Sequence, residues 1–554
     1  MAGYFVENFG CRATQADGAA LERQFEECGL VRASTPAQAS VVVMNTCTVT
    51  AGADQDARAA IRRVRRQNPD ARIVVTGCYA QRAPEEIAAL PGVSLVIGNS
   101  HKHQLAEIVS ATAARVAGES EQRSVLEQRD RSVLEQLNPS VLEHRAALDF
   151  GWRSAPSAAI ESASHPRAFA PEGVAFVPLT TLTASSGSRE REAGSPIFVS
   201  DIFAHTELLA APVFDAANER TRPNLKVQDG CDNRCSFCVI PYVRGQSRSL
   251  EIDRILREVN GLVESGYREV VISGINLGRW GRDLGGFRLS PSSFRLSAPG
   301  FRSSLIDSDE GTRQPRAGGR KPSLENLIRA ILSETRLEKL RISSVEPMDW
   351  SDELISLVAS SSRIAKHAHV PMQSGSDAVL RRMHRKYRPW HYRERIEKIR
   401  AAMPTAAIGA DVMVGFPGET DAEFESTRRM IEDLPFTYLH VFRYSARPGT
   451  PAAEMKNQVT VHLARERNRI LRELAAEKKL EFMRSFVGKP IDAITLNVVG
   501  NDAEGEFTEA LTDNYLKLRL RGRHEANRWL RAQIEDVVDG GLVGMRSHRL
   551  ASVS

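Results

Sequence analysis

Three cysteines lie within eight positions near the middle of the chain: Cys231, Cys235 and Cys238, spaced C-x3-C-x2-C. They follow an apolar run, Leu225 and Val227, that is typical of a short strand. A [4Fe–4S] cluster ordinarily takes four cysteine ligands, and a closed structural zinc site also takes four ligands. No fourth good ligand is close in the sequence. The three thiolates therefore indicate an iron–sulfur cluster with one iron left open to a small molecule.

Three further cysteines each follow a predicted strand in the first hundred residues: Cys11, Cys47 and Cys78. Helical patterns separate these strands, which predicts an α/β domain with a parallel sheet. Ligand sites in open α/β sheets gather at the carboxyl ends of the strands, so the three thiols are expected to converge. The seventh cysteine, Cys28, lies near a predicted helix end and is interpreted as a packing residue.

The central cysteine motif, with Phe237 directly before its last cysteine, resembles the signature of radical S-adenosylmethionine (SAM) enzymes. In that family the open iron of a [4Fe–4S] cluster chelates SAM, and one electron from the cluster cleaves it to methionine and a 5′-deoxyadenosyl radical. The resemblance implies that Cys231, Cys235 and Cys238 are the catalytic, cluster-binding residues. In such chemistry the protein binds and orients the cofactor and the substrate, and it excludes side reactions.

The amino-terminal cysteines sit in motifs that resemble those of one radical SAM family, the methylthiotransferases: Gly10-Cys11-Arg12, Asn45-Thr46-Cys47-Thr48-Val49 and Thr76-Gly77-Cys78-Tyr79-Ala80-Gln81. There they bind a second [4Fe–4S] cluster that carries the sulfur to be inserted. The stretches 342–347 and 384–387 most closely resemble the branch that modifies threonylcarbamoylated tRNA.

Strand and helix patterns alternate from residue 224 to about 444, which predicts a partial barrel of six βα units. Chemistry is then expected on the loops at the carboxyl ends of the strands. Gly274, Ser344 and Glu346 fall on such loops, and the resemblance implies that they bind the cofactor. A small residue lets the backbone approach a flat cofactor, and Ser344 or Glu346 could bond a ribose hydroxyl. Each polar residue is equally typical of a loop cap.

A helical pattern over residues 463–486 precedes short alternating strands, which predict a small β-barrel. Four cations share the outer face of one of these strands: Lys517, Arg519, Arg521 and Arg523. Such a stripe suits a phosphate backbone, whereas the alternative is a charged edge strand protected against aggregation. Residues 511–515 resemble the hallmark of the TRAM domain, an RNA-binding barrel, and Tyr515 there could stack on a base or pack internally.

The composition is that of a globular protein of several domains. The chain has 554 residues, 42% of them hydrophobic and 26% charged, with a net charge of +5 that does not by itself indicate nucleic acid. Neither a secretory signal nor an apolar run of 18 residues is present, and cysteines at ligand-like positions favour a reducing cytoplasm. The predicted divisions are an amino-terminal methylthiotransferase domain (1–110), a low-complexity, disordered insert (111–218), a radical SAM core (219–455) with a second insert (285–322), a linker helix (456–486) and a TRAM domain (487–554).

These resemblances imply an α/β tRNA methylthiotransferase that modifies C2 of N6-threonylcarbamoyladenosine at position 37, beside the anticodon. Its cofactors would be two [4Fe–4S] clusters and SAM. Its partners would be tRNA and an electron donor such as flavodoxin or ferredoxin, and it would act as a cytoplasmic monomer. Two alternatives keep the chemistry but change the substrate, to isopentenyladenosine tRNA or an aspartate of a ribosomal protein. A third is an RNA-binding protein with structural metal sites.

Overall fold

The computed structural model describes residues 3–112, 195–205, 208–209, 212–213, 222–284, 322–502 and 504–547. The chain forms two compact units, one of Met1–His103 with Gly194–Ser554 and one of Gln104–Ala193. The second unit is described only over residues 104–112, which are helical from 105. Most of the predicted insert 111–218, and nearly all of 285–322, lies outside the described residues.

The amino-terminal domain contains a six-stranded parallel sheet in the order β2-β1-β3-β4-β5-β6. Its strands are β1 (Gly3–Asn8), β2 (Val31–Arg32), β3 (Val41–Thr46), β4 (Arg72–Gly77), β5 (Val93–Gly98) and β6 (Ile197–Phe198). Its helices are α1 (Arg12–Glu27), α2 (Ala51–Gln67), α3 (Cys78–Arg82) and α4 (Pro84–Ala88). Strand β6 falls inside the predicted insert 111–218, so the sheet recruits a strand from its carboxyl-terminal part.

The central domain has six parallel strands around a lumen, as predicted. They are β8 (Asn224–Asp229), β10 (Glu269–Gly274), β11 (Lys339–Ile342), β12 (His367–His369), β13 (Ala407–Val414) and β14 (Tyr438–Arg443). Single bridges at Leu340–Ile364 and Ser344–His369 join the β8-β10-β11 sheet to the β12-β13-β14 sheet. Short strands β7 (Pro212–Val213) and β9 (Arg248–Ser249) pair antiparallel with β8.

Helices cover the outside of these strands: α5 (Ile240–Arg244), α6 (Ile252–Glu264), α7 (Leu324–Glu334), α8 (Asp352–Ser360), α9 (Asp377–Arg382), α10 (Pro389–Ala402) and α11 (Asp421–Asp433). Alternate strand residues, such as Ile272 and Val412, join the hydrophobic core beneath the helices. The residues between them face the lumen because side chains alternate along a strand. Many of these are polar, including Lys226, Arg341 and Asp411, so polar side chains and buried ion pairs occupy much of the lumen.

Helix α12 (Val461–Arg484) leads into a closed barrel with the strand order β15-β16-β17-β19-β18. The strands are β15 (Pro490–Asp502), β16 (Gly505–Thr512), β17 (Lys517–Arg521), β18 (Trp529–Val538) and β19 (Gly541–Arg546). Strand β17 pairs with β16 on one side and β19 on the other, so the edge-strand explanation of its cations is wrong. In the described part of the chain, every helix is too short or too polar to cross a bilayer.

Candidate functional site

The amino-terminal cysteines lie at one edge of the first sheet. Cys11 is the N-cap of α1, three residues beyond the end of β1, Cys47 directly follows β3, and Cys78 begins α3 directly after β4. These three strands are neighbours and parallel, so their carboxyl ends meet at the same edge. Cys47 and Cys78 are buried, whereas Cys11 is exposed. The structure therefore brings these sequence-distant residues together as expected.

Two glycines make this convergence sterically possible. Gly10 and Gly77 adopt φ values of +97° and +98°, which L side chains rarely adopt. A Cβ atom on Gly10 would lie 2.6 Å from Cys47 Cβ, and one on Gly77 would lie 2.3 Å from the carbonyl oxygen of Thr46. The space beside these glycines is therefore filled by Cys47 and by strand β3.

The central cysteine loop is anchored by the elements around it. The N–H of Gly230 donates to Asp229 Oδ1 at 2.8 Å, and the N–H of Cys231 donates to the Gly245 carbonyl at 3.1 Å. Ser236 bonds the backbone at the end of α9, through its N–H to the Met383 carbonyl at 3.1 Å. The loop therefore holds its three thiols on a rigid frame at the carboxyl end of β8.

Gln228, the penultimate residue of β8, connects this loop to the segment after the neighbouring strand β10 through hydrogen bonds. Its Nε2 donates to the carbonyls of Asp229 and Gly230 at 2.9 and 2.8 Å, while its Oε1 accepts the N–H of Asn276 at 2.7 Å. A Cβ atom on Gly274 would lie 2.8 Å from Gln228 Oε1. The absence of a side chain at Gly274 thus makes room for Gln228, whose role the sequence analysis missed. The sequence feature that could have indicated this role is a polar residue within a buried strand.

Arg385 places a positive charge beside the central cysteines. Its Nη1 lies 3.3 Å from Cys235 Sγ, and its Nη2 forms an ion pair with Glu346. Glu346 therefore lies at the predicted site, held by a cation rather than free. The Ser344 hydroxyl lies 2.6 Å from His369 Nδ1. Arg385 belongs to the stretch 384–387, but no sequence pattern predicted its contact with a cysteine 150 positions away.

Burial raises the pKa of two cysteines to about 12. For Cys47 the neighbouring Cys78 and Cys11 add to the rise, and for Cys238 the neighbouring Cys235 and Cys231 do so. Each set of thiols is thus close enough for mutual repulsion of its thiolates. Arg244 opposes the rise for Cys47 and Arg385 opposes it for Cys238, but neither cancels it. A bound metal centre would stabilise the thiolates further, because coordination requires the deprotonated thiol.

The spacing of the thiols does not match a single metal ion. Sulfur ligands of one tetrahedral zinc lie about 3.8 Å apart, given a Zn–S bond of about 2.3 Å. Among the described residues, only one group of three or more cysteine, histidine or carboxylate ligands lies within 4.8 Å of one another, and it contains no cysteine. Neither cysteine set is therefore arranged as tightly as the ligands of a single ion.

Helix α5 connects the two cysteine sets, since it follows the central cysteines in sequence and packs against Cys78. Cys78 shares an apolar cluster with Val239 and Val243, and Val239 is the residue after Cys238. The Asn99 Nδ2 donates to the Val243 carbonyl at 2.7 Å and lies 3.6 Å from Cys78 Sγ. Helix α5, which follows the central cysteines, therefore forms part of the wall around the amino-terminal ones.

A buried ionic network fixes this arrangement. Lys226 and Arg244, of the central domain, each contact both Asp17 and Asp229, and Lys102 lies 3.1 Å from Asp17. Burial acts to raise the pKa of Asp17, but the three cations outweigh it and hold that pKa well below its usual range. The network joins α1, which begins after Cys11, to β8, which ends before Cys231.

A second set of contacts joins the Cys47 loop to the segment after β14. Arg447 forms an ion pair with Asp54 and donates to Thr48 Oγ1 at 3.1 Å. Arg82 also contacts Asp54, at 3.0 Å. Thr48 directly follows Cys47. The Asp17 network and the Arg447 contacts therefore join the two domains on both sides of the amino-terminal cysteines.

The TRAM-like hallmark contacts the central domain instead of solvent. The Tyr515 hydroxyl accepts a hydrogen bond from Arg12 at 3.0 Å, and Arg341 lies 5.2 Å from the centre of its ring. Asp513 forms an ion pair with Lys339 at 3.2 Å. Tyr515 is therefore half-buried between the amino-terminal and central domains, held by Arg12 and Arg341.

The predicted basic stripe is only partly free. Arg519 lies 3.4 Å from Asp539, and Arg521 pairs with Glu535 at 2.7 Å and with Glu504. Within the described residues, Lys517 and Arg523 have no ion-pair partner, and both are exposed. Carboxylates neutralise Arg519 and Arg521 in the middle of the stripe, so Lys517 and Arg523 at its ends contribute most of its positive potential.

Two family models match the chain. "Uncharacterized protein family UPF0004" covers residues 3–98, and "Radical SAM superfamily" covers residues 225–431. The threonylcarbamoyladenosine tRNA methylthiotransferase MtaB of Bacillus subtilis is 30% identical over 530 residues, or 95% of this chain and 92% of that protein. The chain belongs to the MtaB-type radical SAM methylthiotransferases. Membership of the radical SAM superfamily gives the protein a [4Fe–4S] cluster and SAM as cofactors.

Other similar proteins extend the comparison. The tRNA-2-methylthio-N(6)-dimethylallyladenosine synthase of Novosphingobium aromaticivorans is 29% identical over 494 residues, or 88% of this chain and 85% of that protein. Among solved structures, the radical SAM methyltransferase TsrM from Kitasatospora setae matches with a TM-score of 0.46 and 14% identity, over 82% of this chain and 75% of that chain. The MtaB-type chain is thus related at similar identity to enzymes named for two different modified adenosines.

Proposed function

We propose that this protein is a tRNA methylthiotransferase that replaces the C2 hydrogen of N6-threonylcarbamoyladenosine, at position 37 beside the anticodon, with a methylthio group. The observation that carries the proposal is the packing of Cys78, from one three-cysteine set, against helix α5, which begins two residues after Cys238 of the other set, in a chain of the MtaB-type family. A structural metal protein would not need two open cysteine sets at one place.

The proposal assigns a cluster to each set. Cys231, Cys235 and Cys238 hold the cluster that binds SAM, and Cys11, Cys47 and Cys78 hold a second [4Fe–4S] cluster. When bound, the first cluster and SAM would supply the radical that removes the C2 hydrogen, and the second cluster would supply the sulfur that replaces it. The donor set supports the assignment because three cysteines leave one iron of each cluster open.

The chain's own residues position and polarise the first site. The N–H of Asn233 and the Nδ2 of Asn276 lie 3.4 and 3.7 Å from Cys231 Sγ, and Arg385 approaches Cys235. Donors and a cation beside the sulfurs stabilise negative charge on the ligands and tune their redox behaviour. Gly274, Ser344 and Glu346 complete the proposed SAM pocket.

The proposal also places tRNA phosphates along Lys517, Arg519, Arg521 and Arg523, with the two end residues contributing most. The protein would act as a monomer in the cytoplasm, reduced by flavodoxin or ferredoxin. Cationic side chains that neutralise phosphates release counterions and so bind RNA in a salt-dependent way.

Mass spectrometry of tRNA nucleosides from a strain lacking the gene tests this function. We expect loss of 2-methylthio-N6-threonylcarbamoyladenosine and build-up of its unmethylthiolated precursor. The wild-type gene and Cys28→Ala should restore the product, whereas Cys235→Ala and Cys78→Ala should not. Loss of the methylthio derivative of isopentenyladenosine instead would transfer the chemistry to the alternative tRNA, and unchanged tRNA would refute an RNA substrate.

A further inference from the structure

Three potential metal ligands meet on adjacent strands of the barrel, apart from the six cluster cysteines. His369 ends β12, Asp411 lies within β13, and His440 lies within β14. His369 Nε2 is 3.4 Å from Asp411 Oδ1, and His440 Nδ1 is 3.3 Å from the same oxygen. All three ligand atoms lie within 4.8 Å of one another.

These separations fit ligands around one ion better than hydrogen bonds. A tetrahedral ion with bonds of about 2.0–2.2 Å to nitrogen and oxygen places its ligand atoms roughly 3.3–3.6 Å apart. An N–H···O hydrogen bond is ordinarily about 2.7–3.2 Å long. Both observed distances fall in the first range and are longer than an ordinary hydrogen bond, although His440 Nδ1 and Asp411 Oδ1 still form one long hydrogen bond at 3.3 Å.

The burial of His369 is the second, independent observation. Its side chain is 8% exposed, and its Nε2 makes no hydrogen bond although it is buried. A buried ring nitrogen without a partner costs free energy unless something binds it. The nitrogen points at Asp411, where a metal ion would satisfy it.

The other nitrogen of His369 is already held. Its Nδ1 lies 2.6 Å from the Ser344 hydroxyl. Metal-binding histidines almost always use their second nitrogen in such a contact, which fixes the ring and its tautomer. The backbone of Asp411 is fixed as well, since its carbonyl accepts the N–H groups of Met372 and Gln373 at 3.1 and 2.8 Å.

The neighbouring side chains leave one approach open. Tyr438 stacks on His369 with ring centres 6.0 Å apart, and Phe442 meets His440 edge-on at 6.4 Å. His440 itself is 56% exposed and Asp411 26%.

We propose that His369 Nε2, Asp411 Oδ1 and His440 Nδ1 bind one divalent transition-metal ion in the lumen of the barrel. Two imidazoles and a carboxylate suit zinc and ferrous iron. With only three protein ligands, the ion keeps an open position toward the lumen for a water or for an oxygen donor of a second molecule. The site uses none of the six cysteines, and through the contact of Ser344 with His369 it adjoins the proposed SAM pocket.

Zinc binding to the anaerobically reconstituted holoenzyme tests the site. The protein would be loaded with one equivalent of Zn2+, desalted, and examined for zinc per chain and by zinc K-edge absorption. We expect about one retained zinc whose first shell contains nitrogen and oxygen at about 2.0–2.2 Å, without sulfur at about 2.3 Å. His440→Ala and Asp411→Asn should weaken zinc binding by roughly tenfold or more.

Two controls keep the result decisive. His391→Ala removes an exposed histidine of α10 and should bind zinc like the wild type. The iron content of His440→Ala should equal that of the wild type, because its side chain is half exposed and touches no cysteine of the described chain. A wild type that retains no zinc, retains it on sulfur, or retains it equally in His440→Ala and Asp411→Asn would overturn the proposal.

Discussion

At the scale of single residues, the chemistry depends on how a few side chains surround sulfur. Cys235 has the guanidinium of Arg385 at 3.3 Å, and Cys231 has the N–H of Asn233 at 3.4 Å. Cys47 has Gly10 so near that no Cβ atom would fit between them. The contacts of Arg385 and of Gly10 each predict a measurable change in the cluster proposed for that cysteine set.

Arg385→Gln removes a buried cation beside the first cluster and leaves Glu346 without its partner. We expect the cluster to form but its midpoint potential to fall, because the added electron loses a nearby positive charge in a medium of low polarity. A fall of about 60 mV would be a tenfold change in the one-electron equilibrium. Redox titration followed by electron paramagnetic resonance measures it. Arg381→Gln, at an exposed position on α9, is the control, and an unchanged potential in Arg385→Gln would contradict the account.

Gly10→Ala should disrupt the second cluster while sparing the first. The added Cβ atom would lie 2.6 Å from Cys47 Cβ, at a φ of +97° that alanine adopts with strain. We expect iron per chain to fall from about eight to about four after reconstitution. Gly52→Ala, on α2 with no atom closer than 3.8 Å to the new methyl, should retain both clusters. Full iron content in Gly10→Ala would refute the assignment of Cys47.

Spacing and motif resemblance singled out the six cysteines that the proposal assigns to clusters, because each motif is local in sequence, and the structure brings Cys11, Cys47 and Cys78 to one sheet edge as expected. They did not predict Arg385 or Gln228, whose partners come from other strands and loops. The histidines and aspartate in the lumen were missed for the same reason: His369, Asp411 and His440 meet only when three strands are laid side by side.

At the scale of elements, buried ion pairs connect helix α1 to strand β8. Asp17 on α1 faces Lys102, Lys226 and Arg244, and these side chains are buried. A buried ionic network costs desolvation on forming, but removing one partner leaves the others uncompensated. The apolar run of Leu225 and Val227 predicted β8 itself, whereas its ion pairs with a helix some 200 positions earlier left no pattern in the sequence.

Asp17→Asn should therefore destabilise the protein by about 3–5 kcal/mol, since three buried cations lose their shared carboxylate. Unfolding by denaturant measures the change. Asp56→Asn, at an exposed position of α2, should change stability by no more than about 0.5 kcal/mol. Equal effects of the two substitutions would show that the network does not hold the domains together.

The same carboxylate gives a pH dependence of known sign. The pKa of Asp17 is depressed in the folded protein, so its contribution is fully present above its unfolded value of about 3.9 and is lost as pH falls through the lower folded value. We expect the difference in stability between wild type and Asp17→Asn to be constant near neutral pH and to shrink only in strong acid. A difference that shrinks between pH 6 and 8 would contradict this account.

At the scale of the whole molecule, the α/β domain, the six-stranded partial barrel and the small closed β-barrel were all predictable, because periodicity and motif position both survive in a single sequence. The strand β6 was not, since it lies within low-complexity sequence. The contact of the hallmark segment with the central domain was also not predicted, because Tyr515 finds Arg12 and Arg341 only in the folded chain.

The RNA-binding role of the small barrel belongs to this scale. Lys517→Ala combined with Arg523→Ala should reduce the slope of log affinity for tRNA against log salt by roughly 1.4–1.8, if each cation neutralises one phosphate. Lys398→Ala, on α10 of the central domain, is the control and should leave the slope unchanged. A double variant with the wild-type slope would remove the basic stripe from the RNA interface.

The central claim is that one chain holds two iron–sulfur clusters on two sets of three cysteines. Mössbauer spectroscopy of protein reconstituted anaerobically with 57Fe, in the wild type and in two triple Cys→Ala variants, tests it most directly. The account predicts two [4Fe–4S] clusters, or about eight irons, in the wild type, and one cluster of about four irons when either set is removed. A single cluster in the wild type, or two clusters that survive loss of Cys11, Cys47 and Cys78, would contradict it.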